Sequence, residues 1–526
     1  MRITNKIMQR NNLSNINTNK VYQDRLSNQL STEKKINRPS DDPVVAIRAL
    51  RLRSSVTEVT QYYSKNIPDA KSWLSVTEGA LNNLTEVITD MIYQCTKGSE
   101  GDLTNEDRRI ILEQLKALAD EVYKTGDADY AGRYVFTGYR TDTTLSFLKE
   151  TNLKYEITEQ LGKESIDSVT FVDTGKLLDI NDANFYSDDL KDLDETQVDA
   201  VEVHRIRLAY NDCDPDTAPQ ITYPNPADPK GPWLEMQATT IHSYGDPNAT
   251  PDPISDPYSY VAENDDAVVY VPETGEILLG KDAYKTLMEL KDDESTAGLN
   301  EAEIRVTYEK SHWDKGDLRP EHYFACTSTD DAGKQIEYNK SYLEGVRERQ
   351  DIEYDVGFNQ TIRVNSTADE CFQHVVGREA DDIVSAMEDV YNLENIKATL
   401  ESLQKKYEGD DANSAIIQKQ LDAVNKALTY AKDKEQKLFE SGITAFQKCL
   451  DQANLCITEC GTRSSKLSLI ETRMQNQKTT FETLKSENED VDIAEVAIYL
   501  SSAELTYEAA LMATGKIVQT TLLNFI

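Results

Sequence analysis

Apolar residues recur every three to four positions at both ends of this chain. Toward the C-terminus, Leu467, Ile470, Met474, Gln477, Phe481 and Leu484 form a seam. After a change of phase it resumes at Ile493, Leu500, Tyr507, Thr514 and Thr521. A seam of this period needs a partner helix to cover it. At the other end, Ile3, Ile7, Leu13, Ile16, Val21, Leu26 and Leu30 outline an amphipathic helix over residues 1–32. Its polar positions are crowded with Asn, which weakens a helix in isolation. It is therefore expected to be helical when packed.

Between these ends the pattern predicts further helices. In Asn37-Arg38-Pro39-Ser40-Asp41-Asp42-Pro43 the prolines exclude helix just before themselves. Asp41 or Asp42 is placed to cap a second helix with Pro43 at its first position. That helix is predicted over residues 44–97, with a regular seam at Leu74, Thr77, Leu81, Leu84, Ile88, Met91 and Cys95, and Pro68 is expected to kink or interrupt it. Thr104 with Asp107 reads as a capping box for a third helix carrying Ile111, Leu115, Leu118 and Val122 and ending near Gly126. Residues 133–137 read as a short strand. A helix carrying Ala386, Val390, Leu393 and Leu400 is predicted from Arg378, broken at Gly409-Asp410-Asp411. A long helical stretch over residues 413–486 follows, punctuated at Gly442 and Gly461. Ser486-Glu487-Asn488-Glu489-Asp490 interrupts the heptads, and a last helix starts near Asp492.

The middle is a different compositional unit. Of 15 prolines, 12 lie between Pro215 and Pro320, and residues 141–375 hold 50 acids against 20 bases. Residues 267–271, 303–308 and 360–364 carry strand-forming runs. Residues 213–257, rich in Asp, Pro, Asn and Gly, are expected to be loop.

Composition narrows the function. The chain has 526 residues, enough for about three domains. Its formal charge of −37 disfavours nucleic acid and anionic lipid as partners, because both are bound through clustered Lys and Arg. No stretch approaches the ~18 apolar residues of a membrane span. The N-terminal residues lack the apolar run of a secretory signal, so the expectation is a cytosolic protein or one leaving by another route. Seven cysteines are too few and odd in number for a disulfide scaffold. Cys449, Cys456 and Cys460 share one helix face without an accompanying His, which reads as small buried residues rather than a metal site. No phosphate loop, G-x-S-x-G or H-E-x-x-H is present, and the five histidines are scattered. No catalytic, metal or cofactor residue is assigned, and the expectation is a structural protein, not an enzyme. The rival of another class is an enzymatic or glycan-binding module within residues 148–375.

The run Ile36-Asn37-Arg38-Pro39-Ser40-Asp41-Asp42-Pro43, followed by Ala46-Ile47-Arg48-Ala49-Leu50, resembles the flagellin-like family. So do Met1-Arg2-Ile3-Thr4, Ala70-Lys71-Ser72-Trp73-Leu74, Gly132-Arg133-Tyr134-Val135-Phe136-Thr137-Gly138 and the acidic run from Ser486 to Glu495. Prolines at 39 and 43 favour the hook–filament junction members over flagellin itself. The resemblance covers roughly residues 1–147 and 355–526.

What the resemblance implies is a mainly α fold at both termini, a coiled-coil bundle of N- and C-terminal arms, with an inserted β-rich variable domain. The implied division is 1–43 N-terminal assembly arm, 44–147 and 376–485 helical core domain, 148–375 acidic variable domain, and 486–526 C-terminal assembly arm. The implied function is that of an extracellular flagellar adaptor, secreted unfolded by type III export and joining the hook, through hook-associated protein 1, to the flagellin filament. The alternative is a filament subunit with an enlarged surface domain. Implied partners are like subunits in a ring, hook-associated protein 1, flagellin and a cytosolic export chaperone. The implied assembly residues are Asn37, Arg38, Pro39, Ser40, Asp41, Asp42, Pro43, Glu489, Asp490 and Asp492. Ile493, Leu500, Tyr507 and Val518 are the implied chaperone and coiled-coil seam. Recognition by innate receptors is not implied, because Thr85-Glu86-Val87-Ile88-Thr89-Asp90-Met91 carries no Arg.

Overall fold

The computed structural model describes residues 5–100, 103–174, 176–225, 231–243, 256–290, 303–330, 333–344 and 349–523, the last seven by backbone alone. The chain opens with four helices, α1 (Asn5–Thr32), α2 (Pro43–Gln61), α3 (Ile67–Gly98) and α4 (Asn105–Lys124). The strands β1 (Asp129–Tyr130), β2 (Arg133–Tyr134), β3 (Lys154–Leu161), β4 (Ile166–Asp173), β5 (Asp199–Arg207), β6 (Gln220–Tyr223), β7 (Leu234–Gln237) and β8 (Thr239–Thr240) follow. Next come α5 (Pro257–Glu263), β9 (Val268–Val271), β10 (Glu276–Leu279), α6 (Lys281–Met288), β11 (Ile304–Lys310), β12 (Ala325–Thr329), β13 (Gln335–Tyr338), β14 (Glu353–Gly357) and β15 (Gln360–Arg363). The chain closes with α7 (Ala368–Cys371), α8 (Val375–Lys406), α9 (Asp411–Glu489) and α10 (Ile493–Leu523). The termini are thus helical and the middle is β-rich. No helix among the described residues is long and apolar enough to cross a membrane.

Two compact units result. One comprises Met1–Lys71, Tyr354–Ile362 and Ser464–Ile526; the other comprises Ser72–Glu353 and Arg363–Arg463.

In the second unit the predicted seam of α3 is fully internal, from Leu74 to Cys95. The capping box opens α4 as expected, with the Asp107 amide donating to Thr104 Oγ1 and the Thr104 amide to Asp107. Arg108 on α4 is buried and donates to both carboxylate oxygens of Glu435 on α9, at 2.7 and 3.2 Å. The strand expected at 133–137 is only two residues long. Ala131 (φ +53°) and Gly132 (φ +77°) make a tight hairpin turn that pairs it with β1.

Two sheets occupy the middle. One has the order β4-β5-β10-β9-β8 and the other β13-β12-β3-β11-β6-β7; every pairing is antiparallel except β8 with β9. The three strand runs read from sequence form β9, β11 and β15. The loop expected over 213–257 is corrected, for it contains β6, β7 and β8. β6 pairs with β11, more than eighty positions later, and such pairing overrides a Pro- and Asp-rich local composition. Arg205 on β5 ties the first sheet to α8. It is buried and meets Asp167 on β4, Glu276 on β10 and Asp382 on α8.

Pro68 interrupts the regular α-helix, as expected, and two other helix expectations are corrected. A π-helical turn, Tyr62–Asn66, joins α2 to α3, and the Ile67 amide donates five residues back to Tyr62. In a regular α-helix the Pro68 ring would meet the carbonyl four residues earlier, and one wide turn relieves that clash. Gly442 and Gly461 do not punctuate α9, which is continuous across both. A helical Gly costs only about 1 kcal/mol relative to Ala, less than the packing of the surrounding turns returns. Ser486 to Glu489 are the last helical turn of α9, completed where the Asp490 amide donates to the Ser486 carbonyl.

In the first unit, α1 lies along α10, with Leu26, Val496 and Ala503 buried and Leu30, Val491 and Leu500 packed beside them. The hairpin β14–β15 reaches the helices here. Asn66 Nδ2 donates to the Asp355 carbonyl at 2.8 Å, the Tyr354 hydroxyl meets Asp69, and Tyr62 stands edge-on to Phe358. The seam of α9 is buried at Leu467, Ile470 and Met474 but open to solvent at Leu484.

Candidate assembly site where the chain ends meet

The site lies wholly within the first unit and is built from two turns. α1 ends at Thr32, and Glu33 takes a left-handed conformation (φ +59°) that reverses the chain. The next residues pair with the turn that follows α9. The Lys35 amide donates to the Glu489 carbonyl at 2.8 Å, the Val491 amide to the Glu33 carbonyl at 3.1 Å, and Lys34 stands opposite Asp490 in antiparallel register. A short ladder thus joins residues 33–35 to 489–491.

The proline-bounded turn is set by its two aspartates. Asp41 accepts from the amides of Asn37 and Arg38 at 3.2 and 3.0 Å. Asp42 caps α2, accepting from Val44 and Val45, with Pro43 at the first helical position. Pro43 has no amide to satisfy there and its fixed φ suits a helix start. Asn37 also accepts from Thr32 Oγ1 at 3.0 Å. Arg38, Pro39 and Ser40 are exposed on this turn. At the other turn, Asp492 caps α10 through the amides of Ala494 and Glu495.

Charge pairs lock the two turns together. Glu489 is only 3 % exposed, and Arg53 of α2 holds both its oxygens. The two hydrogen bonds with Glu489 hold the Arg53 guanidinium above its ordinary range. Lys34 donates to Asp490, and so does Ser486 Oγ, at 2.6 Å. Both bonds lower the Asp490 carboxyl, Lys34 the more strongly. Asn488 Nδ2 reaches the Val45 carbonyl at 3.2 Å, and Lys35 Nζ the Glu487 carbonyl.

Of the residues read from sequence, the structure brings Asn37, Asp41, Asp42, Glu489, Asp490 and Asp492 into this pair of turns. On α10, Leu500 packs toward α1 and Tyr507 is half-buried, but Ile493 is 50 % exposed. Val496 and Ala503 are the buried positions against α1, and Leu500 of the expected seam shares their face. The side chain of Val518 lies outside the described residues. Arg53, Lys34 and Asn488 were not anticipated. The only hint was that a buried carboxylate in an acidic turn requires a cation, and α2 offers Arg48, Arg51 and Arg53 with nothing local to choose between them.

Large apolar side chains remain exposed on both terminal helices, among them Leu13 and Val21 on α1 and Ile498, Leu505 and Met512 on α10. The site therefore offers a hydrogen-bonded join and uncovered apolar helix faces. Among the described residues, no cluster of His, Cys, Asp or Glu could hold a metal ion.

Residues 3–141 match the bacterial flagellin N-terminal helical region. The matched stretch includes α1, the turn at 37–43, Arg53 and the helices through α4. The chain is 29 % identical over 144 residues to flagellar hook-associated protein 3 of Salmonella typhimurium, covering 27 % of this chain and 45 % of the relative. It is 29 % identical over 122 residues to a flagellin of Clostridium tyrobutyricum, covering 23 % of this chain and 32 % of that protein. The chain thus spans less than half the length of the curated relatives it matches. Among solved structures it is similar to flagellar hook associated protein-3 of Legionella pneumophila, at a TM-score of 0.30 and 11 % identity, over 83 % of this chain and 98 % of the other.

Proposed function

We propose that this chain is a structural subunit of the bacterial flagellum, placed outside the cell at the junction of hook and filament. It would join hook-associated protein 1 on one side to flagellin on the other, in a ring of like subunits. The observation that carries this reading is the match to the flagellin N-terminal helical region, whose turn at 37–43 shares one hydrogen-bonded site with the acidic turn at 489–492. The similarity to a hook-associated protein 3 supports the junction rather than the filament.

Residues 1–43 and 486–526 act in this reading as assembly arms, residues 44–147 and 376–485 as the helical core, and residues 148–375 as a variable outer domain. A cytosolic chaperone covers the C-terminal seam before export, and the chain then leaves the cell unfolded. Exposed apolar faces on α1 and α10 gain their burial only from neighbouring subunits, so folding of the arms and assembly are coupled. The acidic middle keeps the outer face soluble.

The second reading, a filament subunit with an enlarged surface domain, is favoured by the flagellin match alone. Immunogold labelling of intact flagella separates the two. A junction protein labels one band at the filament base, and its deletion leaves hooks without filaments while flagellin is shed into the medium. Label along the whole filament, or full-length filaments in the deletion strain, would overturn the junction reading.

A further inference from the structure

A cavity in the second unit plays no part in the proposed assembly. Its volume is about 200 Å³, and its lining comes from the first sheet, α5, α8 and α9. Val169 and Phe171 of β4 and Leu438 of α9 supply an apolar wall. Phe171 also stacks on Tyr258 of α5, with ring centroids 4.6 Å apart and planes 3° from parallel. The space holds one small molecule and is too small for a nucleotide or an oligosaccharide.

Several charges of the lining are matched by their neighbours. Arg205 meets Glu276 and Asp382, Lys434 meets Asp389, and Glu273 is held by His242 and the Ser243 amide. Arg378 and Asp381, three positions apart on α8, are matched less well. Arg378 is 9 % exposed, and its Nη1 stands 3.8 Å from Asp381 Oδ2, beyond hydrogen-bond reach. Its Nη2 donates to the Thr274 carbonyl. Among the described residues, its Nε has no partner, and neither has the buried Thr274 Oγ1. Buried donors left without a partner cost free energy, so two of them on one cavity lining point to a group that accepts from both. The Asp381 side chain, by contrast, is 58 % exposed, so the lining reaches solvent there.

We propose that this cavity binds a free α-amino acid with an apolar side chain. This inference does not depend on the flagellar reading. An α-amino acid carries its carboxylate and its ammonium on one carbon. The two charges can therefore face a guanidinium and a carboxylate that stand as close together as Arg378 and Asp381. The ligand carboxylate accepts from Arg378 and Thr274, its ammonium donates to Asp381, and its side chain lies against Val169, Phe171 and Leu438. A simple anion would satisfy the donors and leave Asp381 facing it unpaired, and a simple cation would do the reverse.

The test is isothermal titration calorimetry on the full chain. The probes are L-leucine and L-phenylalanine, their methyl esters, and the amines left when the carboxylate is removed. The expected result is saturable one-site binding of at least one free amino acid at millimolar concentration or below, with its ester and its amine weaker by about tenfold or more. Asp381→Asn should weaken the same ligand by a similar factor, on a side chain exposed enough to leave the fold undisturbed. Thr274→Val keeps the shape and removes the unpartnered hydroxyl. It should lower affinity while the thermal midpoint of the empty chain stays the same or rises. No saturable heat with either amino acid would overturn the proposal. So would an ester or amine that binds as tightly as the free amino acid, or undiminished binding by Asp381→Asn. The first two outcomes are read on the wild-type chain, so they decide the matter even where a variant fails to fold.

Discussion

Arg53 grips Glu489 across 436 positions of sequence, Nε to Oε1 and Nη2 to Oε2, each at 2.7 Å. The geometry is the planar fork that suits arginine and not lysine. The carboxylate is buried, while the arginine side chain is 55 % exposed. The cost of losing the pair therefore falls on Glu489.

Arg53→Met should leave a buried carboxylate without its partner and destabilise the join of the two turns by about 1–3 kcal/mol. Arg53→Lys should fall between, keeping the charge and losing the fork. Hydrogen exchange at the amides of Lys35 and Val491, which bond across the join, reads the effect directly. Unchanged exchange in Arg53→Met would show that the backbone ladder holds the turns by itself.

Glu159 gives the second unit a pH dependence. It lies on β3, accepts from the Ala209 amide at 2.8 Å and from the Tyr308 hydroxyl, and is 3 % exposed. Burial pushes its carboxyl up to about 7, against those two hydrogen bonds. A carboxyl raised in the folded state contributes stability that is complete below its unfolded value and is lost as pH rises through about 7. Glu159→Gln removes the titration. The variant should gain up to roughly 3 kcal/mol on the parent between pH 5 and pH 8, read from urea midpoints at the two values. Parallel pH profiles for variant and parent would exclude Glu159 as the source.

Two helical glycines should respond in opposite directions. A Cβ on Gly98, the last residue of α3, would lie 2.3 Å from the ring of buried Phe439. Gly98→Ala is expected to destabilise by about 1–3 kcal/mol through overpacking. Gly461, inside α9, has nothing within 4 Å of a built Cβ. Gly461→Ala should stabilise by about 0.5–1 kcal/mol, because it restricts the unfolded chain and fits the helix. Thermal midpoints of the two variants should move apart, and a rise for Gly98→Ala would contradict the close approach.

Removal of α10 tests the chaperone proposal. A chain ending after residue 490 lacks Leu500, Tyr507 and Val518, and should lose capture by the export chaperone in a pull-down. Leu505→Asp, on a residue 68 % exposed in the folded chain, leaves the helix in place and reads whether apolar contact is the cause. Full binding by the truncated chain would remove the C-terminal seam from the chaperone's surface.

Some structure was readable because its cause is local. Thr104 and Asp107 sit three apart and cap α4; Asp42 precedes Pro43 and caps α2; the α3 seam repeats at the period of the helix that buries it. The strands β6 to β8 were not readable, because they are short, the segments around them are rich in Pro and Asp, and β11 and β9, which hold them in their sheets, are remote. The π-helical turn before Pro68 was hidden for a related reason. The sequence shows that a proline must be accommodated, and only the packed helix settles whether a break or a wide turn does it.

Taken alone, the amino-acid order determined two helical ends with apolar faces to cover, an acidic β-rich middle, and the two turns that end their helices. Helix periodicity, capping and proline geometry act over a few residues, so they can be read from a few residues. Only the tertiary structure decided that the two turns are one site and that Arg53 rather than Arg48 or Arg51 meets Glu489. Those are contacts between segments far apart in sequence. A charge carries no local mark of its partner until the packing of whole helices fixes which side chains meet.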